Sequence, residues 1–177
     1  VSKRVYVSMS QHIGAPAKAC VKKGDVVAVG DVIGTAGGFI SAPVHSPVSG
    51  KVFGLDEIRL YNGKVQVVVI DTDGLQTVSE KVKAPEVTDH ASFVQANKDS
   101  GLVGLGGAGF PAHIKLNIPA DKNVDTLIIN VAECEPYITA DDMLLRTYPE
   151  QVLEGMRIIC QVLDPERVVL AVEENKK

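Results

Sequence analysis

Hydrophobic and polar residues alternate in short runs along the first 75 residues, with little helical spacing. The runs fall at residues 5–9, 26–33, 51–55 and 65–70, and each predicts a short β-strand. Turn sequences separate them: Asn62-Gly63 is typical of a two-residue hairpin turn, and Gly37-Gly38 and Asp73-Gly74 indicate further turns. Many short strands with frequent turns predict a small barrel or sandwich over residues 1–75.

The spacing changes after this β-rich region. Residues 76–88 contain Lys81, Lys83 and Pro85 and predict a linker or an edge segment. From residue 89 onward the pattern alternates between helical and strand periods, which is typical of an α/β domain. The chain is therefore predicted to be an α+β multidomain protein, with domains at 1–75 and 89–177 joined by a linker at 76–88.

Local signals place the elements of the second domain. Asp89 is a plausible N-cap for a helix over residues 90–100, and residues 126–131 read as a buried strand. Asp141 or Asp142 is expected to start a short helical turn through Leu145, and Pro149 to restart the helix, which ends at Asp164-Pro165. Residues 167–172 predict a second strand. A strand–helix–strand order implies a parallel pair with a right-handed crossover.

Composition excludes several classes of function. A net charge of −4 gives no basic field for nucleic acid, and no apolar run approaches the ~20 residues that span a bilayer, so no direct membrane insertion is expected. A signal peptide is not expected. Three widely separated cysteines argue against a disulfide framework and against a four-cysteine zinc or iron–sulfur site within this chain.

The most informative run is GLGGAGFP at residues 104–111. Glycines let a backbone approach another group closely, and a proline after them suits the first turn of a helix. Such a loop before a helix favours a bound anion, most often a phosphate. The spacing of Gly104, Gly106 and Gly109 matches the dinucleotide fingerprint, but the expected helix before it and the short helix after it, limited by Pro119, do not. A flexible loop or hairpin turn is the alternative.

Two motifs resemble the flavin-binding region shared by RnfC and the flavin-bearing NADH-oxidising subunit of respiratory complex I. They are residues 101–115, which include the glycine run, and NVAECEPY at residues 130–137 with Asp141 and Asp142 after it. Leu105 and Ala132 stand where the complex I subunit usually has Arg and Asp, so the variant is closer to RnfC. The resemblance covers essentially all of the chain and implies a partial Rossmann-like FMN/NAD-binding domain.

The N-terminal residues resemble a biotinyl/lipoyl-like barrel-sandwich hybrid. The repeated turns VKKGDVV (21–27) and GDVI (30–33) and the later segment 41–52 carry this resemblance. A carrier domain needs a lysine on the hairpin near residues 37–40, and none is there; Lys51 lies at a strand start. The module is therefore predicted to be structural, with a carrier role as the alternative. His12 and His45 match no short metal motif and are predicted to be structural, so no metal site is expected.

The resemblance implies roles for individual residues. Loop backbone and lysine hold the FMN phosphate, and further polar groups lie at the flavin or at the nicotinamide nucleotide. The implied flavin contacts are Gly104, Gly106, Gly107, Lys115, Asn130, Glu133 and Cys134; the implied NAD contacts are Phe110 and Glu135. Other roles stay open: a solvated lysine, a helix-capping Asn130, first-turn glutamates and a core Phe110. No nucleophile or other catalytic residue is predicted, because the cofactors carry the chemistry.

The implied function is electron transfer in a membrane-associated, ion-translocating ferredoxin:NAD oxidoreductase. A hydride would pass between nicotinamide and FMN, and single electrons between FMN and 4Fe-4S clusters in a segment outside this chain. The implied partners are the other subunits of the Rnf complex, with ferredoxin reached indirectly. The implied location is cytoplasmic, peripheral on the inner face of the cell membrane. The chain reads as an N-terminal fragment that is inactive alone. A non-flavin scaffold, as in a related quinone-reductase subunit, is the alternative.

Overall fold

The computed structural model describes residues 2–60, 63–105, 107–119, 121–135 and 137–176. Strands and helices are both present, which confirms the predicted α+β class. The chain forms two compact units: the first extends to Asn117, and the second begins at Ile118.

The first unit opens with seven strands: β1 (Arg4–Ser8), β2 (Lys18–Ala19), β3 (Val26–Val27), β4 (Val32–Thr35), β5 (Val44–His45), β6 (Gly50–Leu60) and β7 (Gly63–Thr72). They form a four-stranded sheet in the order β1-β7-β6-β3 and a three-stranded sheet in the order β2-β4-β5. Neighbouring strands are antiparallel. The predicted β6–β7 hairpin is confirmed, with Leu60 opposite Gly63, although its turn lies partly outside the described residues because Asn62 is not among them.

One predicted strand is wrong in extent. Residues 26–33 form two strands, β3 and β4, because a turn separates them. The Asp31 carboxylate accepts a hydrogen bond of 2.8 Å from the Ala28 backbone N–H, and Gly30 has a φ of +88°. Both sheets contribute side chains to one core, in which Met9, Ile33 and Ile70 are almost fully buried. Burial of this kind is the main stabilising contribution to such a small β-domain.

The segment after β7 is attached to the β-domain. Val29 and Val78 form a parallel bridge, and the Val29 N–H donates to the Thr77 carbonyl at 2.8 Å. The buried Ser79 hydroxyl donates to the Asp31 carboxylate at 2.8 Å. This part of residues 76–88 therefore serves as the edge segment, one of the two alternatives that the sequence left open.

Two helices complete the first unit: α1 (His90–Asp99) and α2 (Ala112–Leu116). The predicted N-cap of α1 is confirmed, since Asp89 and Ser92 form a reciprocal capping box that satisfies backbone N–H groups at the helix start. Pro111 is the N-cap of α2, one position before the first turn. The His90 imidazole Nε2 lies 2.8 Å from the Leu116 carbonyl and joins the two helices.

The second unit contains β8 (Thr126–Asn130), α3 (Ala140–Thr147), α4 (Pro149–Leu163), β9 (Arg167–Ala171) and a short 3-10 helix (Glu174–Lys176). β8 and β9 are parallel, as predicted, and Pro149 begins α4 at its first position. Two expectations are wrong. The helix expected from Asp141 or Asp142 to Leu145 spans Ala140–Thr147, and β8 is only half-buried. The described part of its sheet has two strands, so faces that larger parallel sheets cover stay accessible.

Candidate functional site

The glycine loop (residues 104–109) is closed at its neck by backbone hydrogen bonds. Gly104 N–H donates to the Phe110 carbonyl at 2.9 Å, and Ala112 N–H donates to the Leu102 carbonyl at 2.9 Å. An antiparallel bridge between Val103 and Pro111 lies between these two bonds. The loop therefore connects two helices through a pinched neck, which confirms that it is not a strand-to-helix Rossmann turn.

Within the loop, Gly107 is the residue best suited to meet a ligand. Its φ is +59°, a conformation that favours glycine, and no atom lies within 4 Å of the position that a Cβ would occupy. The Gly104 N–H is already used by Phe110, so Gly104 offers a ligand no free amide hydrogen. Gly106, a predicted flavin contact, lies outside the described residues.

The opposite side of the loop rests on the β-domain, at the barrel loop (residues 10–13). Ile13 N–H donates to the Ala108 carbonyl at 3.0 Å. Gly109, with a φ of +62°, approaches so closely that a Cβ there would lie 3.1 Å from the Gln11 carbonyl oxygen and 3.3 Å from the His12 Cα. Gly101 makes a similar approach, with a virtual Cβ 2.6 Å from the Pro43 carbonyl oxygen. Some glycines of this region are thus required by packing against the β-domain.

A cavity of about 430 Å³ lies between the glycine loop and the barrel loop. Its lining comes from residues 10–13 and Leu60 on one side and from Gly104, Leu105 and residues 107–109 on the other. Leu105 is 94% exposed, although it is a large apolar residue. The volume falls within the usual range for small-molecule sites.

Two histidines support the loop from below. His12 Nε2 lies 3.1 Å from the Ala42 N–H, and its Nδ1 lies 3.0 Å from the Ile13 carbonyl, so both ring nitrogens have partners. His113, on α2, is buried, and its Nδ1 has no hydrogen-bond partner among the described residues. Burial lowers the pKa of His113, and the nearby charge of Lys98 and the proximity of His12 lower it further. His113 is therefore neutral at pH 7.

Lys115 and Phe110, two further predicted contacts, flank the loop in sequence. Lys115 is exposed near the end of α2 and has no hydrogen bond or ion pair with any residue that the structure describes. Its charge is available to an anion. Phe110 is half-buried and contributes its carbonyl to the loop neck.

The remaining predicted contacts lie in the second unit, after β8. Asn130 ends β8, and its Oδ1 accepts a hydrogen bond of 3.1 Å from the Ala132 N–H, which makes an Asx-type turn instead of the helix cap offered as an alternative. Cys134 and Glu135 are exposed. Tyr137 is fully exposed with a φ of +68°. Only α3 follows this segment closely, and it begins at Ala140, so Glu133 and Glu135 are not first-turn residues.

Glu133 is the buried acid of this segment. One carboxylate oxygen accepts the Asp141 N–H at 3.0 Å and so satisfies a backbone donor at the start of α3; the other pairs with the Lys176 ammonium. Lys176 also pairs with Glu173 at 2.8 Å. The hydrogen bond from Lys176 is the main cause that lowers the pKa of Glu133, against the opposing effect of burial, and Glu133 in turn raises the pKa of Lys176. The capping by Glu133 also explains why α3 starts earlier than predicted.

The glycine loop fits a phosphate-bearing ligand. It combines an exposed, left-handed Gly107 with open space beside it, an unpaired Lys115 and an adjoining cavity. These are the features by which loop backbone and a point charge hold a phosphate. The described residues contain no cluster of His, Cys, Asp or Glu that could hold a metal ion.

Sequence reasoning missed the barrel loop, His113 and Lys176. Each acts through a contact between distant parts of the chain; Lys176 and Glu133, for example, are 43 positions apart. A histidine directly after a glycine loop was the one local signal that could have drawn attention to His113.

Two family models match the chain. Residues 1–75 match the RnfC barrel sandwich hybrid domain, and residues 97–177 match the Nuo51 FMN-binding domain. The first match confirms the predicted architecture of the N-terminal strands.

Curated relatives match over nearly the whole chain, and each is the RnfC-type component of its complex. That of the Na⁺-translocating ferredoxin:NAD⁺ oxidoreductase complex of Acetobacterium woodii is 44% identical over 176 residues, covering 97% of this chain and 40% of that protein. That of the proton-translocating complex of Clostridium ljungdahlii is 37% identical, covering 98% of this chain and 39% of that protein. That of the ion-translocating oxidoreductase complex of Pseudomonas aeruginosa is 38% identical, covering 99% and 23%. The chain thus spans two-fifths or less of the length of these relatives.

Proposed function

The chain belongs to the RnfC family and corresponds to its N-terminal region, and from that premise we propose that it is the flavin-binding part of an electron-transfer subunit in an ion-translocating ferredoxin:NAD oxidoreductase complex. The observation that carries the proposal is the exposed glycine loop with its unpaired Lys115, within residues that match an FMN-binding domain. The scaffold alternative is not favoured, because the relatives named above are all subunits of oxidoreductase complexes.

The proposed cofactor is FMN, with NAD(H) as the exchanging substrate. Bound flavin would supply the chemistry, since it takes up a hydride and gives single electrons. The chain's own residues bind and orient: the backbone at Gly104, Gly106 and Gly107 surrounds the phosphate, and Lys115 supplies the opposite charge. The engaged N–H of Gly104 leaves its Cα and carbonyl as the groups that border the ligand.

Residue roles in the second unit are proposed one by one. Asn130 and Cys134 are proposed as flavin contacts and Glu135 as a contact of the nicotinamide nucleotide, a role also proposed for Phe110. Glu133 is proposed as a flavin contact whose carboxylate is held in place by Lys176 and by the start of α3. A carboxylate has about four acceptor positions, so these two partners do not exhaust it.

The finer architecture belongs to the same proposal. The parallel β8–β9 pair with α3 and α4 between its strands supports a partial Rossmann-like α/β domain. We propose functional domains at 1–75 and 89–177, with residues 76–88 between them.

The proposed partners are the other subunits of the Rnf membrane complex, with ferredoxin reached through them. In the described residues no helix is long and apolar enough to cross a bilayer. We propose a peripheral position on the cytoplasmic face of the cell membrane, held by partner subunits, and 4Fe-4S clusters carried outside the 177 residues.

Titration of FMN into the chain, followed by quenching of flavin fluorescence, tests the proposal. Riboflavin, which lacks the phosphate, is the control ligand, and Lys83→Gln, at an exposed lysine of the same unit, is the control variant for Lys115→Gln. A charge-assisted hydrogen bond contributes ~1.5–3 kcal/mol, so Lys115→Gln should weaken FMN binding about 10- to 100-fold and leave riboflavin binding unchanged. Equal losses for both ligands would show that Lys115 does not bind the phosphate.

Turnover is a separate measurement. We expect the FMN-loaded chain to show no NADH:acceptor activity by itself, since the proposed clusters lie elsewhere. Reduction of an artificial acceptor by NADH at a rate above that of free FMN would contradict that expectation.

A further inference from the structure

We propose that the barrel loop (residues 10–13) forms the second wall of the flavin site, so that the β-domain contacts bound FMN directly. The proposal rests on the proposed function and adds to it a contact surface outside the matched FMN-binding region, which begins at residue 97. Three features of the first unit support it: the attachment of the glycine loop, the rigidity of the barrel loop and the chemistry of the cavity between them.

The attachment fixes the distance between the two walls. The hydrogen bond from Ile13 N–H to the Ala108 carbonyl and the close approach of Gly109 to Gln11 and His12 hold the glycine loop against the barrel loop. A ligand bound by the loop backbone therefore has the β-domain beside it.

The barrel loop is also held rigidly from its own side. The two partnered ring nitrogens of His12 tie it to Ile13 and Ala42. The Gln11 amide nitrogen donates to the Ser8 carbonyl at 2.9 Å, and the Ser10 N–H donates to the Ser8 hydroxyl at 3.0 Å. A wall that is ordered before binding loses little conformational entropy when the ligand arrives.

The cavity combines polar and apolar lining in a way that suits a flavin. Ser10 and Gln11 bring a hydroxyl and an amide, while Ile13, Leu60 and Leu105 are apolar. The hydroxyl of Ser10 has no partner among the described residues. An isoalloxazine ring has an apolar face and an edge of hydrogen-bonding groups, and sites for such ligands pair apolar lining with a few polar groups.

Bulky substitutions on the barrel loop test the inference. Gln11 and Ile13 are exposed, so Gln11→Trp and Ile13→Trp should fold, and each would narrow the cavity from the β-domain side. Gln151→Trp, at an exposed glutamine of α4, is the matched control. The chain contains no tryptophan, so each variant carries a single one whose emission reports its fold.

The expected result is FMN binding weakened at least tenfold by both barrel-loop variants and unchanged in the control, with equal melting temperatures. If the wild-type chain binds FMN and both barrel-loop variants bind it within about twofold of wild type, the inference is overturned while the proposed function stands. If the wild-type chain does not bind FMN, the proposed function fails and the inference fails with it.

Discussion

Gly109 and Gly107 provide a direct test of how the glycine loop is seated. Both have left-handed φ values, of +62° and +59°, so an alanine at either position carries a conformational cost of about 1–2 kcal/mol. Only at Gly109 would the new methyl group also press on the β-domain, at 3.1 Å from the Gln11 carbonyl oxygen and 3.3 Å from the His12 Cα. Overpacking of this kind costs about 1–3 kcal/mol. Gly109→Ala should therefore loosen the loop by at least ~1 kcal/mol more than Gly107→Ala.

Amide hydrogen exchange at Ile13 measures this difference locally, because its N–H donates to Ala108 across the contact. A difference of ~1 kcal/mol corresponds to about a fivefold faster exchange in Gly109→Ala than in Gly107→Ala. The Val52 amide, within the β-domain core, should exchange at the same rate in both variants. Equal Ile13 exchange rates in the two variants would refute the view that Gly109 is a glycine because of the barrel loop.

Three further outcomes are expected. Because the pKa of His113 is lowered in the folded state, the first unit should lose stability as the pH falls below about 6.5, and His113→Gln should remove part of that dependence; an unchanged pH profile of thermal unfolding would contradict this. Because the pKa of Glu133 is lowered, chiefly by Lys176, its contribution is present above about pH 4.5 and is lost as the pH falls further; Glu133→Gln should flatten the acid limb of amide exchange at the start of α3, and a retained limb would exclude that role. Gly155, inside α4 with open space around it, should accept alanine with a gain of about 0.5–1 kcal/mol in urea unfolding, unless the helix is less regular than described.

Local signals predicted much of the fold. Asp89 caps α1 through residues three positions away, and Pro149 starts α4 by its own backbone restriction, so a short window of sequence contains the cause. The strand–helix–strand order likewise carries the parallel pairing of β8 and β9. These predictions succeeded because neighbouring residues alone determine the conformation.

The misses have non-local causes. The early start of α3 depends on Glu133, and the buried position of Glu133 depends on Lys176. Half-burial of β8 depends on how many strands join its sheet, which an apolar run cannot reveal. At the candidate site, glycine spacing suggested phosphate contact throughout, whereas Gly109 and Gly101 answer to the β-domain.

The seating of the glycine loop bears on how such proteins are divided or recombined. The FMN-binding match begins at residue 97, yet the first compact unit runs to Asn117 and includes the whole loop. A protein engineer who excised residues 97–177 would leave the Ala108 carbonyl without Ile13 and Gly109 without the surface that it fits. Exchange of the β-domain between relatives would have to carry a compatible loop with it, so the natural unit of inheritance here crosses the boundary that sequence similarity draws.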